Sequence, residues 1–118
     1  MKVMEHTIQG AILLELQGEL DFSSRKEFMD AIQQTFHSNQ PHIIVDLQGI
    51  TCADEAAMSL LVIAHQKLIQ QCRRLSLLHP PNHLANKLHS MKFPRIIPIY
   101  RSLEEALKRQ IFSLPLYH

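Results

Sequence analysis

Two adjacent acids, Asp54 and Glu55, interrupt GITCADEAAMSLLVIAHQKL at residues 49–68, where a strand-like run gives way to helical spacing. Carboxylates placed there have three uses. The first is structural: Asp54 can accept hydrogen bonds from first-turn amides that lack an intrahelical partner, and Glu55 lies where the helix dipole favours negative charge. The second is contact with a partner. The third is acid–base or metal chemistry, but no His-x-x-x-His or Glu-x-x-His sequence adjoins the pair, and neighbouring acids seldom converge on one small ligand unaided. Capping is therefore the expectation for Asp54. Glu55 is expected to be exposed, either solvated or touching a partner.

Other candidate groups are thinner. His79 and His83 have i,i+4 spacing and His89 follows, yet no acid or cysteine between Pro80 and Phe93 completes a ligand set, so no metal is expected. Ser23 and Ser24 follow Asp21 in GELDFSS, but the small-residue elbow of a nucleophilic serine is missing, and capping is the expected role. The 3 glycines, at positions 10, 18 and 49, are too scattered for a phosphate loop. Cys52 and Cys72 sit in apolar surroundings and read as two buried thiols in a reducing compartment.

Composition narrows the classes further. With 118 residues, 46% of them hydrophobic and 19% charged, the chain suits one domain with its own core rather than a disordered segment. A formal charge of +1 offers no field for a nucleic acid, and Arg73-Arg74 belongs to no broader basic stripe. MKVMEHTIQG lacks the apolar stretch of a secretory signal, and no run is long enough to span a bilayer. A cytoplasmic location without membrane insertion is the expectation.

The elements that must position these residues follow from periodicity. Val3 to Ile8 and Ala11 to Gln17 read as strands around a Gln9-Gly10 turn. Ser24 to Glu27 has capping-box form and opens a helix through about Phe36, with Phe28, Met29, Ile32 and Phe36 on one face. HIIVDL, residues 42–47, is a buried strand. From Asp54 the spacing becomes helical, with Ala57, Leu60, Leu61, Ala64, Leu68 and Cys72 as the buried stripe. Met58, Val62 and Ile69 widen that stripe, either as more core or as an exposed shoulder for a partner.

Arg74 to Leu78 is the next strand, and a helix runs from the double proline to Ser90. Arg95 to Ile99 reads as an edge strand, and Ser102 to Glu105 repeats the capping-box signal before a closing helix. The apolar tail Ile111 to Tyr117 is expected to fold back or to meet a second copy in a homodimer. The fold class is therefore α/β: a mixed sheet of about five strands with about four helices, in the order β-β-α-β-α-β-α-β-α.

GELD at 18–21, HIIVDLQGITCAD at 42–54, the apolar helix that follows and IIPIYRSLEEAL at 96–107 together resemble the STAS domain, the family of bacterial anti-sigma factor antagonists. The resemblance implies a non-catalytic protein-binding module with no cofactor. Its implied partner is an anti-sigma factor or a signalling kinase. In that family an Asp-Ser-Ser-Gly motif often starts the central helix, and its second serine is phosphorylated by the partner, which breaks the complex. A phosphate adds about −1.5 to −2 charge to the docking surface.

The corresponding positions here are Asp54, Glu55, Ala56 and Ala57, so only the aspartate is kept and the acceptor position carries no hydroxyl. The usual phosphoswitch cannot operate at Ala56; Thr51 and Ser59 match no motif position. The resemblance implies a partner surface formed by Asp21, Asp54, Glu55, Ala56, Ala57, Met58 and Val62. Two alternatives stand beside it: a STAS-like accessory subunit of a larger complex such as a lipid-transport machine, and a small-ligand sensor. The latter needs a pocket with convergent polar groups.

Overall fold

The computed structural model describes residues 1–113, with side chains through residue 108. The expected contacts of the tail Ile111 to Tyr117 lie outside the described side chains. The chain begins with a hairpin, β1 (Lys2–Ile8) and β2 (Ala11–Leu20), in which Ile8 pairs with Ala11 across Gln9-Gly10. Gly10 has φ 74°, a conformation glycine adopts without steric cost. Then follow α1 (Arg25–Gln34), β3 (His42–Ala53), α2 (Glu55–Gln70), β4 (Arg74–Leu78), α3 (Asn82–Ser90), β5 (Ile99–Tyr100) and α4 (Leu103–Ser113), in the expected order.

The sheet order is β1-β2-β3-β4-β5, antiparallel between β1 and β2 and parallel thereafter. Each crossover from β2 onward moves one strand in the same direction, so right-handed connections put α1, α2 and α3 on one face. The main core records this: Ile12, Leu14, Ile43, Val45, Leu75 and Leu77 from the sheet pack with Phe28, Leu61 and Leu84 from the three helices. The chain then crosses to the other face. There α4 places Ala106, Leu103 and Leu107 over Ala11, Leu13, Ile44 and Leu78. Beside α4 the β1–β2 side of that face stays open, with Met4 38% exposed and His6 Nε2 2.6 Å from Glu15 Oε1.

Several boundaries differ from the sequence expectation. The strands β2 and β3 run well past Gln17 and Leu47, ending at Leu20 and Ala53. Their extension carries exposed Gln48, Thr51 and Cys52, so it lacks the apolar pattern that marks a strand. Irregular register at Glu15/Gln17 and Gly18/Glu19 lets the pairing continue, with Gly49 opposite Gln17. A Cβ on Gly49 would lie 2.6 Å from the Leu16 carbonyl oxygen, so only glycine fits.

The last strand is Ile99–Tyr100 rather than Arg95 to Ile99, because Phe93–Arg95 forms a 3-10 turn and Pro94 and Pro98 have no amide to donate. The first capping box also moves. Ser24 does not cap α1; it closes a box with Asp21 around the 3-10 turn Phe22–Ser24. Finally, Cys72 leaves the buried stripe of α2. It lies beyond the helix at φ 60°, where Cys72 N–H donates to Ile69 O and Arg73 N–H donates to Leu68 O, each at 2.9 Å. This pair of bonds is a Schellman termination.

Candidate functional site

The extended strands decide where the acids lie. Leu20 of β2 and Ala53 of β3 are paired neighbours, and their pairing continues beyond the last β3–β4 pair, Asp46 with Leu78. Asp21 and Asp54 therefore emerge side by side at the projecting carboxyl end of two parallel strands. Each turns the chain from strand to helix. The Asp21 Oδ1 accepts from Ser24 N–H at 3.2 Å and from the Ser23 hydroxyl at 2.5 Å, while Asp21 N–H donates to Ser24 Oγ at 3.1 Å. The bond from Ser23 is the main reason that the Asp21 carboxyl titrates below its usual range. Asp54 is the N-cap of α2, its Oδ1 accepting from Ala57 N–H at 3.1 Å.

Glu55 projects from the first turn of α2 and is exposed; Ala56 is half-buried and Ala57 buried. No hydroxyl lies in this four-residue turn. Thr51 and Ser59 flank it and are exposed. Of the two readings of Met58, more core or exposed shoulder, the first holds: at 2% exposure it belongs to the main core, so as a member of the expected partner surface it is covered. Val62 is partly buried against the same core. Ile69, the third residue of that reading, is exposed at 51% farther along the helix; nearer Glu55, Ile63 at 41% and Met91 at 47%, with Ser59, rim a shallow groove floored by Met58, Val62 and Phe93.

Three further residues at this end escaped the sequence reading. Phe22 is 70% exposed and the Arg25 guanidinium lies 5.2 Å from its ring centre, within cation–π range. Lys87 of α3 donates from Nζ to the Ala53 carbonyl at 3.3 Å, tying α3 to the strand end beside Asp54. Met91 follows α3 directly. Ile63 carried a usable signal, since Ser59 and Ile63 share the i,i+4 stripe opposite the buried one. Phe22, Lys87 and Met91 carried none, because their placement depends on contacts distant in sequence.

The remaining candidates disperse. Both cysteines are exposed free thiols, correcting the expectation of burial: Cys52 lies on the projecting part of β3 and Cys72 in the turn after α2. Among the described residues no group of three His, Cys, Asp or Glu could hold a metal ion. No helix in that span is long and apolar enough to cross a membrane.

Comparison with known proteins adds to this geometry. The family description of the STAS domain matches residues 2–106. A Thermotoga maritima protein described as an anti-sigma factor antagonist superposes with a TM-score of 0.81 at 16% identity, covering 91% of this chain and 92% of its own. An anti-sigma factor antagonist from Mycobacterium paratuberculosis gives 0.80 at 17% identity, with 92% of each chain covered. A sulfate transporter family protein from Wolinella succinogenes gives 0.75 at 14% identity, covering 91% of this chain and 89% of its own. At such identities these likenesses establish the fold. No curated protein sequence matches the chain.

Proposed function

This chain belongs to the STAS domain family, and from that premise we propose that it is a non-catalytic, protein-binding regulatory module of the anti-sigma factor antagonist kind, working in the cytoplasm and without a phosphate acceptor at the usual position. The observation that carries this reading is the projecting end of β2 and β3. It presents the Asp21 and Asp54 caps together, beside exposed Glu55 and the Ile63–Met91 groove, with Ala56 where the family places its serine. A surface with an acidic edge and an apolar strip suits a protein partner, an anti-sigma factor or a signalling kinase, since apolar area supplies affinity and charge supplies register. The fold likeness to anti-sigma factor antagonists is in keeping with it.

The test uses the partner recovered by affinity capture from the native cells and titrated against the purified chain. Glu55→Arg and Ile63→Asp, both exposed, are expected to weaken binding about tenfold or more, with thermal melts close to the parent. Met58→Asp is unsuitable, because a charge in the core would unfold the protein. Intact mass after incubation with the partner and ATP is expected to show no added phosphate. Unchanged affinity for both variants rejects the surface, and phosphate mapped to Thr51 or Ser59 rejects the unswitched reading. A second reading, an accessory subunit of a larger assembly such as a lipid-transport machine, draws on the same apolar groove. It requires a complex that stays intact through purification and is lost in Ile63→Asp.

A further inference from the structure

The carboxyl edge of the sheet has a second half, and its chemistry differs from the first. Where β2 and β3 end in aspartates, β4 and β5 are followed by residues with nitrogen donors: Leu78 pairs with Tyr100, and the next residues are His79 and Arg101. His79 N–H donates to Tyr100 O at 3.1 Å, so the two chain exits are held together. They open into a cleft of about 750 Å³, a volume suited to a small molecule. One wall is α3 on one face of the sheet; the other is the start of α4, on the opposite face. A crevice at the carboxyl ends of parallel strands, where successive helices leave for opposite faces, is the place where open α/β sheets take ligands.

The lining mixes apolar Pro80, Ala85 and Ile99 with side chains that can donate hydrogen bonds. Asn82, Asn86 and His89 follow helical spacing and face the cleft, while Leu84 and Leu88 bury the other side of α3 in the core. The first turn of α3 lies at the same mouth, where Pro81 provides no side-chain cap. Glu105 is the one carboxylate on the wall, and its Oε1 accepts from Arg101 N–H at 3.1 Å, which fixes the backbone of Arg101. His79 has φ 52°, a left-handed conformation unusual outside glycine. Holding an imidazole there costs on the order of 1 kcal/mol.

We infer that the cleft between α3 and α4 binds a small phosphate-bearing molecule, with Arg101 and His79 on the oxyanion and Asn82 and Asn86 on its hydroxyl or carbonyl groups. A tetrahedral dianion uses several convergent N–H donors, and a guanidinium fork meets two of its oxygens at once. The site is separate from the partner surface at Asp54. The two share only α3, whose Lys87 reaches Ala53 from the helix that lines the cleft. The inference stands without the partner reading.

The experiment is a titration of the full chain with inorganic phosphate, followed by amide and Arg side-chain NMR in a phosphate-free buffer. Glycerol phosphate and a phosphoserine peptide form parallel arms. Expected are saturable shifts confined to residues 79–89 and 99–105, with glycerol phosphate binding at least as tightly as phosphate. Arg101→Gln should weaken both by about tenfold. His79→Gly should weaken both severalfold while its melting temperature stays level or rises, because glycine relieves the left-handed turn. Lys26→Gln, on the exposed Lys26–Asp30 pair of α1, should change nothing. Shifts scattered over the surface, shifts that survive Arg101→Gln, or binding by the peptide alone would overturn the inference.

Discussion

Asp54 serves the fold and the proposed surface with one carboxylate, and the two duties are separable by substitution. One oxygen accepts from Ala57 N–H, while the residue itself is exposed. Asp54→Ala removes the cap and is expected to cost about 1 kcal/mol; Asp54→Asn keeps an acceptor there and should recover most of it. Urea denaturation of both variants measures this, and equal losses would mean that charge at the helix end, not the capping bond, stabilises α2. His65 offers a second test at this scale. Its Nδ1 is shielded from solvent and has no partner among the described residues, and burial lowers its pKa. The unfolded chain then takes up a proton first as pH falls below about 6.5. The His65 contribution is therefore intact above that pH and is lost as pH falls toward the lower folded value. The urea midpoint should decline less for His65→Gln than for the parent between about pH 7.5 and pH 5.5; parallel declines would contradict the assignment.

At the scale of elements, the partner surface depends on two strands continuing after their neighbour has stopped. The extension past Asp46 rests on β2–β3 pairing, and the pairing survives two register irregularities by bringing Gly49 against the Leu16 carbonyl. Gly49→Ala would push a methyl group into backbone that cannot rotate away, at a cost of about 1–3 kcal/mol. The consequence should be local as well as global. Amide exchange at residues 50–54 is expected to accelerate more than exchange at 43–46, where β4 still supports β3. Uniform acceleration would show that the extension has no separate stability. The helix ends follow simpler rules: α2 stops where Cys72 adopts the left-handed turn and Arg73 N–H closes back on Leu68 O. The Arg73 side chain then donates to the carbonyls of Thr35, Phe36 and Ser38, pinning the end of α1 to the entrance of β4.

For the whole molecule, the arrangement of helices is unequal on the two faces. Three lie on one side over the larger core, and α4 alone shields Ala11, Leu13, Ile44 and Leu78 on the other. On that side His42 and Ser76 are also buried, with His42 Nε2 2.5 Å from Ser76 Oγ. Ala106 is 0% exposed within the smaller cluster. Ala106→Asp would bury an unpaired carboxylate and should cost about 3 kcal/mol or more. Loss of the cooperative melt, or a large fall in its midpoint, is expected. A variant as stable as the parent would mean that α4 does not dock there in solution. The same asymmetry shapes the carboxyl edge. Acidic caps occupy the half that projects, and the cleft with His79 and Arg101 at its mouth occupies the half where α3 and α4 diverge.

The order of elements was legible in the sequence, because apolar spacing changes from alternating to helical at each junction and the cap of α2 is a short-range signal at Asp54. The family was legible too, from GELD, the VDL strand and the spacing to Asp54. Legibility failed where a residue's surroundings come from distant segments. Met58 lies on the widened apolar face of α2, where spacing left core and exposed shoulder both open, and tertiary packing makes it core. Cys52 reads as buried beside Ile50, yet the strand there projects beyond β4 and the thiol is exposed. The pairing of Leu20 with Ala53, and of Leu78 with Tyr100, likewise follows from register between strands. Sequence by itself determined which residue types occupy the strand ends; tertiary structure alone decided that they lie side by side, because local periodicity carries no information about which strands become neighbours or how far each one extends.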